Sequence, residues 1–201
     1  MLVKKIGIID AGCGNIKSVA LSFQIEGSVV NILSNSPKKD DYDLIVLPGV
    51  GAAGTIEKSL KNKFKSWIKD RVSNQKPFLG ICLGFQLMFE GTQESGGIEG
   101  FSFFQGVCQP LNDYENINLR VGWYKLSKNK VTLDNEINSF YFNHSFGVNK
   151  KVFLRNNKCI SSSIENSVAL AVDKNLYGLQ FHPEKSQISG NKLIKDLLLK
   201  L

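Results

Sequence analysis

The sequence predicts an α/β fold: a doubly wound, mostly parallel sheet covered by helices on both faces, with an added antiparallel layer. Two observations support this. In the first half of the chain, short and almost wholly apolar runs alternate with stretches of helical periodicity. In the second half, from about residue 106 to residue 181, several strand-like runs follow one another. The 201 residues contain no repeat or linker, so we expect a single domain spanning 1–201.

The first half supplies the parallel core. Its predicted strands are Lys4–Asp10, Val29–Leu33, Asp43–Leu47 and Pro77–Ile81. Asn15 follows a glycine-rich turn and is expected to cap a helix that runs to about Glu26. A second helix is predicted by apolar residues at helical spacing, namely Ile56, Leu60, Phe64, Trp67, Ile68 and Val72.

The second half supplies the antiparallel layer. Turns rich in Asn, Asp and Lys separate its predicted strands, which are Leu119–Leu126, Phe140–Val148, Val168–Val172 and Tyr177–Phe181. An amphipathic helix from about Gly190 to Leu201 closes the chain.

Composition excludes several classes of protein. The net charge is +7, but the lysines are scattered, which favours ordinary surface charge over a nucleic-acid site. No apolar run approaches the roughly 20 residues that span a bilayer, and the N-terminal run is too short for a signal peptide. We therefore expect a cytoplasmic protein that binds neither nucleic acid nor membrane. Four cysteines without a CxxC pair and only two histidines argue against a metal site, and we expect no cofactor.

The segment Gly80-Ile81-Cys82-Leu83-Gly84 lies where a strand meets a helix. Glycines two residues before and after Cys82 allow a sharp turn that presents the thiol at its apex, as in a nucleophile elbow. A helix predicted over Leu83 to Phe89 would direct its N-terminal amides towards the sulfur and favour the thiolate. A buried packing cysteine is the competing interpretation. The flanking glycines favour a nucleophile.

A base for this thiol is predicted in Gln180-Phe181-His182-Pro183-Glu184, after the last apolar strand. Imidazole titrates near neutral pH. In an extended segment His182 and Glu184 point to the same side, so the carboxylate is expected to orient the ring. The competing interpretation is a turn with a surface histidine. His144 has no nearby carboxylate in the sequence, and we interpret it as structural or pocket-lining.

The Pro48-Gly49-Val50-Gly51 segment follows the third predicted strand. A tetrahedral intermediate requires backbone N–H donors aimed at its oxygen, and glycines let a peptide reorient at low steric cost. The amides of Gly49, Val50 and Leu83 are therefore the candidate oxyanion-hole donors.

Together, PGVG, GICLGFQ and QFHPEKS resemble the motifs of the class I (triad) glutamine amidotransferases. With IIDAGCGNIKSV and FLGICLGFQLMFE, the chain is similar over nearly its whole length to the glutaminase subunit of imidazole glycerol phosphate synthase, which serves histidine biosynthesis. The resemblance implies a flavodoxin-like fold and a catalytic triad of Cys82, His182 and Glu184. It implies that L-glutamine is held by Gly51, Gln86, Glu94, Ser145 and Phe146.

The resemblance also implies a heterodimer with a (β/α)₈ synthase (cyclase) subunit, which receives ammonia through an internal channel. Glutaminase activity in that family is usually low until the partner is bound. This chain departs from the family's Pro-His-Met-Gly-Trp-Asn segment, having Leu119-Arg120-Val121-Gly122-Trp123-Tyr124 instead. Arg120, Trp123 and Tyr124 are the residues predicted to contact the partner or line the ammonia passage. Asn143-His144-Ser145-Phe146 likewise replaces a Val-His-Ser-Tyr segment.

These departures leave alternatives open. Paralogues in bacterial surface-polysaccharide clusters are thought to supply ammonia for amidination of a sugar, and the divergent segments fit such a paralogue as well as a drifted histidine-pathway enzyme. A catalytically inactive binding partner is disfavoured by the intact triad. A cysteine peptidase on the same fold is disfavoured by Gln86 and Glu94.

Overall fold

The structure is a computed structural model that describes residues 3–12, 15–25, 27–49, 53–127 and 139–201. Its strands are Lys4–Ile9 (β1), Ser28–Leu33 (β2), Leu44–Leu47 (β3), Phe78–Ile81 (β4), Gly91–Thr92 (β5), Ile98–Glu99 (β6), Val107–Pro110 (β7), Arg120–Lys125 (β8), Ser139–His144 (β9), Phe146–Gly147 (β10), Ile160–Ile164 (β11), Ser167–Asp173 (β12) and Leu176–Leu179 (β13). Its helices are Ile16–Phe23 (α1), Ala53–Lys63 (α2), Lys65–Ser73 (α3), Leu83–Gln86 (α4), Asn112–Glu115 (α5), Lys150–Asn156 (α6) and Gln187–Leu199 (α7). Short 3₁₀ turns cover Glu94–Gly96 and Pro183–Lys185.

A seven-stranded sheet organises the molecule in the order β11-β12-β13-β4-β3-β1-β2. The five strands from β13 to β2 are parallel, whereas β12 and β11 are antiparallel to their neighbours. Strands β3 and β4 lie at the centre and are buried at every position, as expected for strands covered on both faces. The predicted α/β class with a mostly parallel sheet is therefore confirmed.

Each face of the sheet carries its own apolar core. Residues of α2, α3 and α4 pack on one face, where Ile56, Phe64 and Phe85 are buried. Residues of α1, α7 and β9 pack on the other, where Phe23 and Leu193 are buried. Asn15 caps α1 as predicted, since its side-chain oxygen accepts the Ser18 amide proton. None of the helices in the described ranges combines the length and the apolar composition that a membrane span requires.

Two predicted helices differ from those observed. The continuous helix expected over 56–72 is broken at Phe64, whose φ of −134° and ψ of −22° separate α2 from α3 while its side chain stays buried. The helix expected to reach Phe89 ends at Gln86. Carbonyls beyond that point are satisfied from outside the helix, because the amides of the 101–104 loop donate to the carbonyls of residues 87–89.

The antiparallel second half was only partly predicted. The Tyr177–Phe181 run does not belong to an added layer, because β13 pairs in parallel with β4 inside the main sheet. The Val168–Val172 run lies in β12, which extends the same sheet. The added antiparallel elements are instead the β8–β9 hairpin and a four-stranded sheet ordered β10-β7-β5-β6, in which β5 and β7 are parallel. Helix α6 was not predicted. Asn149 caps it by accepting from the Lys151 amide.

This topology places three segments side by side. Strand β4 lies between β3 and β13, and all three are parallel. Their carboxyl ends therefore meet at one edge of the sheet, where the segments after them begin at Pro48, Cys82 and Gln180.

Candidate active site

Cys82 lies at a strained turn between β4 and α4. Its φ of 54° and ψ of −109° are unusual for a residue with a side chain, and its amide donates to the Leu179 carbonyl oxygen over 2.7 Å. A Cβ on Gly84 would lie 1.9 Å from the Leu47 carbonyl oxygen, and one on Gly80 would lie 2.6 Å from the Gly84 carbonyl oxygen. The two flanking glycines thus allow the strand and helix to approach closely enough to form the predicted elbow.

His182 and Glu184 form a buried pair beside this turn. The distance from His182 Nδ1 to Glu184 Oε1 is 2.9 Å, and both side chains are almost fully buried. His182 is extended, as predicted, but Pro183–Lys185 forms a 3₁₀ turn. The 3₁₀ turn therefore places the Glu184 carboxylate against the His182 ring. The extended geometry expected from the sequence, in which residues two apart point to the same side, is not the cause of this contact.

The charge state of His182 is set by its neighbours. Burial lowers the pKa of the ring, but hydrogen bonding and charge interactions with Cys82 and Glu184 outweigh it and raise the pKa to about 10. Nε2 has no partner of ordinary hydrogen-bond geometry among the described residues, although the sulfur is near enough to contribute to this rise. A protonated ring beside the sulfur favours the thiolate of Cys82.

The proposed oxyanion-hole donors are only partly available. The Leu83 amide donates to the Gly49 carbonyl oxygen over 3.4 Å, so a protein acceptor occupies it in this structure. The Gly49 backbone also packs tightly, because a Cβ there would lie 2.7 Å from the Gly84 nitrogen. The other predicted donor, Val50, lies outside the described residues, as does the predicted substrate residue Gly51.

A cavity of about 200 Å³ opens beside Cys82. The residues that line it are Gly49, Cys82, Leu83, Gln86, Glu94, Leu119, Asn143, His144, Ser145 and Phe146. The structure thus brings the predicted substrate residues Gln86, Glu94, Ser145 and Phe146 to the same cavity as the thiol. The side-chain nitrogen of Gln86 donates to the Phe146 carbonyl oxygen over 2.9 Å, which connects α4 to β10.

Comparison with known protein families assigns the chain to one of them. The family model described as "Glutamine amidotransferase class-I" matches residues 8–201. The chain belongs to the class-I glutamine amidotransferase family.

Two curated relatives of this amidotransferase share a name. A protein of Caldanaerobacter subterraneus subsp. tengcongensis named "Imidazole glycerol phosphate synthase subunit HisH" is 37% identical over 95% of this chain and 96% of the relative. A protein of the same name from Methanocaldococcus jannaschii is 34% identical over 96% and 98%. Among solved structures, PurLQS from Thermotoga maritima aligns with a TM-score of 0.74 at 18% identity, covering 99% of both chains, which supports the fold.

His144 lines the cavity of the amidotransferase in its neutral form. Burial lowers the pKa of its ring to about 4, helped by the nearby charges of Arg120 and His182, although the Phe146 carbonyl acts in the opposite direction. The distance from Nδ1 to that carbonyl oxygen is 2.8 Å. Because a carbonyl only accepts, Nδ1 carries the proton and Nε2 presents a lone pair.

The three residues predicted at the partner surface of the amidotransferase do not share one face of the β8–β9 hairpin. Trp123 is 47% exposed. Arg120 is buried, which corrects the expectation that its side chain lies at that surface: it binds Glu115 and Glu165 and donates to Ser167 Oγ over 3.3 Å. Tyr124 lies on the inner side, with its ring centroid 5.5 Å from the Arg120 guanidinium carbon. Alternation along the strand accounts for the difference.

Sequence reasoning missed one residue at the thiol. Gln180 is fully buried, and its Nε2 lies 3.8 Å from Cys82 Sγ. It precedes His182 by two residues, so strand alternation offered an indication that both face the same side.

Proposed function

We propose that this chain is the glutaminase subunit of an imidazole glycerol phosphate synthase, which hydrolyses L-glutamine to glutamate and passes the ammonia to a (β/α)₈ cyclase subunit. The observation that carries the proposal is the buried arrangement of Cys82 with His182 and Glu184 at a cavity in a chain whose relatives are named as that subunit. Surface-polysaccharide amidination, the alternative acceptor chemistry, would use the same glutamine site with a different partner.

The first half of the reaction forms a thioester. The Cys82 thiolate attacks the side-chain amide carbon of glutamine, which forms the S–C bond. His182, whose raised pKa keeps it protonated at neutral pH, gives its proton to the leaving nitrogen as the C–N bond breaks. Glu184 holds the ring by its Nδ1. Water then attacks the thioester and gives a proton to His182, and the electrons of the broken C–S bond return to sulfur.

Stabilisation of the oxyanion requires a local rearrangement. The Leu83 amide can donate to an oxyanion only after the Gly49 carbonyl moves away from it, because one N–H serves one strong acceptor. We therefore expect glutaminase activity to be low while this contact is present. A partner that displaces the Gly49 peptide would increase the rate of hydrolysis.

The outer face of the β8–β9 hairpin is the proposed docking surface. Leu119, Val121 and Trp123 are each about half exposed, and Leu119 also lines the cavity. The hairpin is joined to the proposed base, because the His182 amide donates to the Tyr141 carbonyl oxygen over 2.9 Å. A partner on this face would lie next to the cavity mouth, where ammonia leaves past Trp123 before bulk water protonates it.

The nucleophile is tested by labelling with 6-diazo-5-oxo-norleucine and by a glutaminase assay with and without the cyclase. We expect the label on Cys82 and a loss of hydrolysis of at least about 10³-fold in Cys82→Ala. Cys159→Ala is the matched control, since this thiol is half-buried outside the cavity lining, and it should retain activity. A label on another cysteine, or hydrolysis by Cys82→Ala, would refute the proposal.

The docking surface is tested by titrating the cyclase subunit into Trp123→Ala. Aromatic anchors at interfaces contribute about 2–4 kcal/mol, so the Kd should rise about 30-fold to 1000-fold. Leu154→Ala is the control, because Leu154 is a similarly exposed apolar residue on α6. Unchanged affinity of the Trp123 variant would place the partner elsewhere. Amidotransfer is then measured with the acceptor substrate of imidazole glycerol phosphate synthase and with a sugar acceptor. The acceptor that receives the ammonia identifies which of the two chemistries the complex performs.

A further inference from the structure

Gln180 is a second polar side chain in contact with the nucleophile. It follows β13 directly, is 1% exposed, and places its Nε2 3.8 Å from Cys82 Sγ. Its backbone is fixed, because its amide donates to the Ala169 carbonyl oxygen over 2.9 Å. The side chain therefore approaches the sulfur from the segment after β13, which also carries His182, and it is shielded from water.

The orientation of the Gln180 amide follows from its other neighbour. Gln86 Nε2 donates to the Phe146 carbonyl oxygen over 2.9 Å, which identifies that atom as the nitrogen. The same Nε2 lies 3.5 Å from Gln180 Oε1, and a nitrogen donor requires an oxygen there. Gln180 must then present its NH₂ group, and not its oxygen, to Cys82.

We propose that Gln180 is a catalytic residue whose amide N–H stabilises the Cys82 thiolate, both before attack and when the thioester breaks. A neutral thiol is a weak acceptor, whereas a thiolate is a strong one, so the contact favours the charged form selectively. In the second half-reaction the water oxygen bonds to the acyl carbon, and the C–S bond breaks with its electron pair returning to sulfur. The Gln180 N–H then stabilises the negative charge that develops on the sulfur. The inference rests on the proposed function, since it assumes that Cys82 is the nucleophile.

The other polar groups that the structure describes near the sulfur act differently. His182 supplies the opposing positive charge, with Glu184 behind it. His144 is neutral, and Glu94 lies on the cavity wall. The sulfur's other close polar neighbour that the structure records is the Asn143 carbonyl oxygen at 3.9 Å, an acceptor that cannot stabilise an anion.

The test is the pH dependence of Cys82 alkylation by iodoacetamide, measured by mass spectrometry of the full chain. Gln180→Met keeps the length of the side chain and removes the donor. A hydrogen bond to a charged group at this long distance predicts that the pH midpoint rises by about one unit. At pH values below the midpoints of both proteins, Cys82 of Gln180→Met should then be alkylated about tenfold more slowly than Cys82 of the wild type. Above both midpoints the two rates should be nearly equal. Gln105→Met, at an exposed glutamine outside the cavity lining, should leave the midpoint unchanged.

A second variant keeps the inference testable if Gln180→Met does not fold. Gln180→Glu preserves the shape and the oxygen that faces Gln86 but places a carboxylate at the sulfur, so the midpoint should rise by more than one unit. The pH profile of kcat/KM for glutamine should move with the alkylation midpoint, which a purely structural role for Gln180 would not produce.

The outcomes separate the two proposals. If wild-type Cys82 is reactive and glutaminase-competent while both Gln180 variants keep the wild-type midpoint, the role of Gln180 is refuted and the proposed function stands. If wild-type Cys82 reacts like Cys159 and no glutamine is hydrolysed with the cyclase present, the proposed function fails and this inference fails with it.

Discussion

Removal of the Arg120 guanidinium should destabilise the fold strongly. The Glu115 carboxylate that it binds is fully buried. Without Arg120, the donors to Glu115 among the described residues are two neutral groups, the Asn166 amide at 3.0 Å and the Ser167 hydroxyl at 2.8 Å. Breaking a buried ion pair by removing one partner costs about 3–5 kcal/mol. For a chain of this length, Arg120→Met should lower the Tm by about 6–20 °C, because each kcal/mol corresponds to about 2–4 °C.

Equilibrium unfolding in guanidinium chloride, followed by circular dichroism, measures the effect. The double variant Arg120→Met/Glu115→Gln should be about 2 kcal/mol more stable than Arg120→Met, since the glutamine oxygen still accepts both hydrogen bonds without an unpaired charge. Glu165→Gln is the control and should change stability by less than about 1 kcal/mol, because that carboxylate is largely exposed. A single variant within about 1 kcal/mol of wild type, or a double variant no better than the single, would refute the assignment of this pair as a structural anchor.

Two further changes test the surroundings of the thiol. Because the pKa of His144 is about 4 in the folded chain and about 6.5 in the unfolded one, the unfolded chain alone takes up this proton as pH falls between those values. Between pH 7 and pH 4 this histidine should therefore lower the free energy of unfolding of the wild type by about 3 kcal/mol. Over the same range, chemical unfolding of His144→Gln should show a loss about 3 kcal/mol smaller. Parallel plots of unfolding free energy against pH for the two proteins would contradict the argument. Gly84→Ala should destabilise by at least about 3 kcal/mol, because its Cβ would overlap the Leu47 carbonyl oxygen, whereas Gly54→Ala, with 3.9 Å of clearance in α2, should be neutral or stabilising in a thermal melt.

Several features of the site were predictable because they depend on local chemistry. The run that forms β4 is apolar throughout, and a glycine stands two residues before and two residues after Cys82. This pattern predicted a buried strand that ends in a sharp turn, and both are observed. His182 and Glu184 were predicted as a pair from their proximity in sequence. The structure differs only in the 3₁₀ turn that joins them.

Other features depend on partners far away in the chain. The apolar run that became β13 does not indicate whether it pairs in parallel or antiparallel, because burial on both faces gives the same pattern. Its placement beside β4 brings Gln180 to Cys82, 98 residues earlier in the chain. Strand alternation separates Arg120 from Trp123, but it does not determine which of the two faces the interior.

Neighbouring residues encode the α/β class, the thiol at a glycine-flanked elbow and the histidine–carboxylate pair after the last strand, so these features follow from the sequence alone. Three contacts became visible only in the folded chain: the Leu83 amide donates to Gly49, Arg120 lies in the interior, and Gln180 contacts the sulfur. These contacts join segments that are distant in the chain, and their geometry is fixed by how the strands pair and how side chains fill the space between the layers.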